Sequence, residues 1–188
     1  MTRKLPARDE FFDVYGPYDI EVDGTQVPAS QKALWEQVRE EEGLEESIGC
    51  YMFCIRRGGI ILPWYIGMTV AVKGFRGETF TPHKIDIYND CLQRQSGQPQ
   101  LFIFPFMIKP DENANLRFSL DRTRGRRIIK WLEKTLMGMA LSRNDELANL
   151  RDASLPRSVS VRGVLGAPLR GRPSTDVAEA RRALLGGQ

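Results

Sequence analysis

Two apolar, aromatic-rich runs joined by a glycine turn constrain this chain more than any other feature. Residues 49–56 read Gly-Cys-Tyr-Met-Phe-Cys-Ile-Arg, Arg57-Gly58-Gly59 is turn-like, and residues 60–67 resume an apolar run ending Tyr65-Ile66-Gly67. Strand-length runs around such a turn predict an antiparallel β-hairpin. Side chains at i and i+2 of a strand share a face, so the pair can set Tyr51 and Tyr65 side by side on one surface. Each phenol can donate or accept a hydrogen bond, enough to orient a water or a phosphate oxygen. The plainer alternative is that aromatic strand residues simply fill a core.

The rest of the chain supplies helices and one further strand. Residues 1–28 read as an irregular arm or short strands. Ser30 can cap a helix through Ala33, Leu34 and Val38, which fades in Glu40-Glu41-Glu42. Thr81 and Pro82 can open a helix to about Gln95, with Ile85, Tyr88 and Leu92 at helical spacing and Ser96-Gly97-Gln98-Pro99 as its stop. Residues 101–108 form a third strand, in which Pro105 argues for an edge position or a bulge. A long helix over residues 122–140 buries Ile128, Ile129, Leu132, Leu136 and Met139. After Leu155-Pro156 the composition shifts to Arg, Gly, Ser and Pro, a connector before a short helix over residues 176–185. The expected fold class is α+β: a small three-stranded, mostly antiparallel sheet flanked by helices. The expected organisation is an acidic arm and helix over 1–47, a core over 48–152 and a basic extension over 153–188.

Charge is divided unevenly. Residues 1–48 carry five Lys/Arg against twelve Asp/Glu, a balance of −7, whereas residues 49–188 carry 22 against 12, a balance of +10. A basic body of this size suits a polyanion, although a solvated surface carries charge too. No apolar run approaches the roughly 18–20 residues needed to cross a bilayer, so no membrane partner is expected. The first residues show no secretory pattern. Cys50, Cys54 and Cys91 are an odd, sparse set that suits a reducing cytoplasm, and a single histidine, His83, argues against a Cys/His zinc site.

The combination of Gly49-Cys50-Tyr51, Tyr65-Ile66-Gly67, Arg76, His83, Glu133 and Asn149 resembles the GIY-YIG nuclease superfamily over about residues 48–150. Cys50 stands where the family has Ile, and Arg76 lies about one residue late, so Lys73 competes for its role. The resemblance implies a GIY-YIG-like core that hydrolyses DNA phosphodiesters. It makes Glu133 the one acidic ligand to Mg²⁺ or Mn²⁺, with water and phosphate oxygens completing the shell. The alternative for Glu133 is an ion pair with Lys130 or a neighbour along the helix. Tyr51 would orient or deprotonate the attacking water, assisted by Tyr65 or His83, and Arg76 would neutralise a non-bridging oxygen, with Glu78 able to position it. Asn149 would orient phosphate or a catalytic neighbour, or else serve a C-cap or turn. Products would carry 5′-phosphate and 3′-hydroxyl ends. The scheme requires both phenols and the Glu133 carboxylate to meet over one cavity.

Contacts to DNA are expected from Lys73, from Lys84 at the start of its helix, and from Arg126 and Arg127 in the basic stretch before Glu133. Arg170-Gly171-Arg172-Pro173 resembles the core of an AT-hook, a minor-groove peptide, though a Pro/Gly linker reads the same way. One site per chain nicks one strand, so a monomer or a homodimer is compatible with cleavage. Two other classes stay open: a DNA-binding protein whose nuclease core no longer cuts, and a protein-interaction module using the acidic helix over 30–46.

Overall fold

The hairpin forms, and it organises everything around it. The structure is a computed structural model that describes residues 9–109, 115, 117–149 and 174–185. Strands β1 (Asp9–Phe12) and β2 (Tyr15–Asp19) precede helix α1 (Lys32–Val38). The hairpin is β3 (Gly49–Arg57) and β4 (Ile60–Thr69), joined through Gly58, whose φ of 59° is the left-handed region a tight turn needs. Short α2 (Gly74–Glu78) and α3 (Pro82–Arg94) lead to β5 (Gln98–Lys109). Then come β6 (Arg117–Phe118), the long α4 (Arg122–Leu141) and, last, α5 (Thr175–Leu185).

The fold is α+β, but the sheet is larger than the expected three strands. Six strands form one sheet in the order β1-β5-β3-β4, with β2 and β6 also paired to β5. Of the two expectations for residues 1–28, an irregular arm or short strands, the second holds for residues 9–19, which add two strands to the sheet. The reason lies in β5, whose twelve residues outrun the hairpin and offer a second edge to residues 9–19.

Pro105 sits in this central strand, against the expectation of an edge or a bulge. Phe12 pairs with Phe106 and Tyr15 with Ile103, so continuing the register sets Asp13 against Pro105. The amide of Phe106 donates to Ile48 on the hairpin side, so alternation turns Pro105 the other way. Proline lacks the donor a ladder needs there, and the ladder breaks between β1 and β2. One long partner strand becomes two short ones.

Two apolar layers cover the sheet. On one face Tyr51, Phe53, Ile55 and Tyr65 pack with Leu34 and Val38 of α1, Phe75 of α2 and Tyr88 of α3. On the other, Cys50 and Phe106 pack with Ile129, and Ile66 packs with Met137, Ala140 and Leu141 of α4. The expected stripe of α4 packs on the sheet at Ile128, Ile129, Leu132 and Leu136, but Glu133 is buried too, whereas Met139 is 53% exposed. Gly125 explains part of this, because a Cβ there would lie 2.9 Å from Ile48 Cδ1, so the helix start rides close to the sheet. Ser30 does not cap α1 either. Gln31 takes the cap position, and its side chain holds the backbone of Glu21 and Pro28.

Candidate active site

Register brings the two phenols together. Tyr51 pairs with Gly67 and Phe53 with Tyr65, which makes Tyr51 and Tyr65 diagonal neighbours on one face. Their ring centroids are 6.2 Å apart, tilted by 37°. Gly67 is what makes room: a Cβ there would lie 2.3 Å from Tyr51 Cζ and 2.4 Å from its oxygen. The glycine of Tyr-Ile-Gly is therefore the floor on which the Tyr51 phenol lies.

Helices close over the pair. Phe75 meets Tyr51 edge-on at 6.5 Å. Tyr88 stacks on Phe53 at 4.2 Å with rings nearly parallel, and meets Tyr65 edge-on at 6.0 Å. One turn earlier on α3, Lys84 Nζ donates to the Tyr65 hydroxyl and stands 4.7 Å from that ring's centroid. His83 is exposed on the same turn; the residue that reaches inward is the lysine beside it.

Two hydroxyls are buried without a well-formed hydrogen bond among the described residues, those of Tyr51 and Tyr88. Burial pushes Tyr51 well above the ordinary range for a phenol, and the neighbouring Tyr88, Tyr65, Glu78 and Glu133 push the same way. Burial also raises Tyr88, followed by Tyr65, Cys91 and Glu78, with the nearby Tyr51 hydroxyl opposing. Both are neutral phenols at physiological pH. Tyr51 can therefore orient a water as a donor, but it is not the group that deprotonates it.

Glu133 arrives from another direction. Its helix covers the Cys50 face of the sheet, opposite the phenols, so the expected meeting of three side chains over one cavity is not made by packing on one face. Its charge nevertheless reaches both faces, raising the Tyr51 phenol and, after burial itself, the Cys50 thiol. Cys50 Sγ donates to the Ile129 carbonyl at 3.4 Å, holding β3 against the turn that carries Glu133. Cys50 thus does more than replace Ile by a small apolar group.

Arg76 and Asn149 are already engaged. Arg76 is half-exposed and its Nη1 lies 3.1 Å from Glu45, which also binds Arg39; its partner is Glu45, not Glu78. In a five-residue helix whose Phe75 faces Tyr51, the next side chain turns outward. Asn149 is buried and uses both ends of its amide on the backbone of Ile66, accepting from N at 2.8 Å and donating to O at 2.6 Å. Ala148 N donates to Trp64 O beside it. Asn149 therefore acts as a strand residue on the outer edge of β4, fixing the middle of Tyr-Ile-Gly rather than reaching for phosphate.

Of the expected DNA-contacting residues, Lys73 is exposed before α2, and Arg126 and Arg127 are exposed on α4. Arg170 and Arg172 lie outside the described residues. Sequence reasoning missed Tyr88 as part of the phenol cluster and Glu45 as the anchor of Arg76. Lys84 and Tyr88 at i and i+4 were the available signal for a shared inward face. Among the described residues no group of three or more His, Cys, Asp or Glu could hold a metal ion. A cation at this site would rely on one or two carboxylates, water and substrate oxygens, a shell Mg²⁺ accepts. No described helix is long and apolar enough to cross a membrane.

Comparison with known proteins finds no matching family model, no matching curated protein and no matching solved structure.

Proposed function

We propose that this chain is a divalent-metal-dependent endonuclease that hydrolyses DNA phosphodiester bonds. The observation that carries the reading is the phenol pair: Tyr65 has a lysine ammonium on its oxygen, while Tyr51 presents a buried hydroxyl that has no well-formed hydrogen bond, only the nearby Tyr88 hydroxyl, and lies within reach of two carboxylate charges. Buried polar groups normally find partners, so an orphan hydroxyl at such a place suits a water or a substrate oxygen.

In this scheme water attacks phosphorus in line. Tyr51, held neutral, donates to the attacking water or to a phosphate oxygen and fixes its direction. Tyr65 accepts the water's proton in its phenolate form, whose charge the Lys84 ammonium stabilises before the transfer, and becomes the neutral phenol. Arg76 can exchange Glu45 for a non-bridging oxygen, because an exposed ion pair of this kind contributes only about 0–1 kcal/mol. Glu133 would hold Mg²⁺ or Mn²⁺, which when bound supplies stabilisation of the leaving 3′ oxygen.

A second reading is favoured by one specific observation: α4 brings Glu133 from the opposite face of the sheet. A chain that binds DNA with this core but no longer cuts would tolerate that arrangement. A plasmid-nicking assay with Mg²⁺ separates the two. The parent protein should nick, while Glu133→Ala and Tyr51→Phe should abolish nicking and stay folded. Binding that persists in EDTA without nicking by the parent supports the non-cutting reading, and indifference to DNA removes both.

A further inference from the structure

Helix α4 carries a surface the proposed chemistry does not use. Its sole acidic residue is the buried Glu133, so every exposed charge along it is positive: Arg124, which pairs with Glu10, then Arg126, Arg127 and Lys130. Arginines crowd its first turns, and no acidic residue lies in the first turn. That is the end where the helix dipole disfavours cations, so helix stability does not account for the pattern. Arg122 and Arg124 are held within the chain by the Ala71 and Val72 carbonyls and by Glu10, which leaves Arg126, Arg127 and Lys130 as a surface suited to a polyanion.

Trp131 stands in the middle of this surface. It is 64% exposed, whereas Trp35 and Trp64, the chain's other tryptophans, are 7% and 3% exposed. Arg127 lies one turn before it, Lys130 beside it and Lys134 nearly one turn after, and residues three and four apart share a helix face. A flat indole framed by cations matches nucleic acid with unpaired bases, because any base can stack on the ring while phosphates meet the cations. A duplex keeps its base faces stacked internally and offers only the phosphates.

We propose that the solvent face of α4, centred on Trp131 with Arg127 and Lys130, binds single-stranded DNA by stacking a base on the indole. The proposal deepens the nuclease reading by naming its substrate class, DNA with an unpaired segment, yet it rests on different residues.

Trp131 is also its own probe. In EDTA, with the Glu133→Gln full-length protein, titration with oligo-dT should quench intrinsic fluorescence and shield the indole from acrylamide, and a duplex of equal length should do so far less. Trp131→Ala should weaken oligo-dT binding by roughly 5- to 150-fold, the range stacking of one base contributes, and Trp131→Phe should keep most of the affinity. Unchanged oligo-dT binding by Trp131→Ala overturns the proposal, as does equal shielding by duplex. Shielding by anionic phospholipid vesicles but not by oligo-dT overturns it in favour of a membrane surface. Nicking lost with shielding intact would retire the nuclease and keep this surface; the reverse would retire this surface alone.

Discussion

The Tyr51 phenol lies across Gly67, so close that a Cβ on Gly67 would fall 2.3 Å from Tyr51 Cζ. The ring is rigid and wholly buried, with Phe75 against it. Gly67→Ala must therefore push the phenol or bend β4, and overpacking of this kind costs about 1–3 kcal/mol. Urea unfolding should show that loss. Adding Tyr51→Phe should recover little of it, because Cζ, not the hydroxyl alone, meets the new methyl. Full recovery in the double variant would mean that the ring lies elsewhere.

This relationship shows how far sequence carries and where it stops. The hairpin was legible because its apolar runs and glycine turn are local signals, and so was the adjacency of Tyr51 and Tyr65, which needs only strand periodicity. The six-stranded sheet was not. Short strands were one of two readings open for residues 9–19, but their pairing with β5 is a tertiary effect that the segment itself does not announce. On α4 the expected stripe packs at Ile128, Ile129, Leu132 and Leu136, but its apolar letters alone do not reveal that Met139 faces outward and Glu133 inward. Which residues are engaged was equally hidden: nothing local in Asn149 reveals that both ends of its amide are taken by Ile66, 83 residues away.

Alkaline pH should unfold the protein early. Burial raises Cys54 and Cys91 from 9.0 to about 12, and raises Tyr51 and Tyr88 well above 10.0. Between the unfolded and folded values the unfolded chain has lost protons that the native one keeps, so stability falls as pH rises. The loss should begin near pH 9 with the thiols and steepen above pH 10 with the phenols, by at most about 1.4 kcal/mol per pH unit for each group. Urea midpoints from pH 7 to 11, read beside phenolate absorbance, provide the check. Tyr51 and Tyr88 should ionise only as the protein unfolds; normal ionisation of all five tyrosines near pH 10 in a folded protein would contradict their burial.

Asn149→Ala should cost stability rather than merely binding. It strips a donor and an acceptor from the buried outer edge of β4, leaving Ile66 N and O without their partners. Each of the two buried orphans costs on the order of 1–3 kcal/mol, so a total of roughly 2–6 kcal/mol is expected, together with faster hydrogen exchange at the Ile66 amide. Asn149→Asp should be no better, because it places a carboxylate against the Ile66 carbonyl. A variant as stable as the parent but weaker on DNA would return Asn149 to the phosphate role.

Lys84 distinguishes a mechanism that rests on the Tyr65 phenol from one in which Arg76 supplies the essential positive charge. Lys84 Nζ bonds the Tyr65 hydroxyl, whereas Arg76 is half-exposed and held by Glu45. If the charge on Tyr65 matters, Lys84→Met should lower the nicking rate by about 10²–10³-fold, the effect of removing one transition-state donor, with little change in DNA affinity. Lys84→Arg should restore part of that rate, since a guanidinium can still donate to the phenol. Arg76→Ala should raise the substrate concentration needed for half-maximal nicking more than it lowers the maximal rate, because a ground-state phosphate contact is what it can offer. Equal rates for Lys84→Met and the parent, with Arg76→Ala inactive, would move the essential cation to α2. The Lys84–Tyr65 bond would then be a packing contact of α3 on β4.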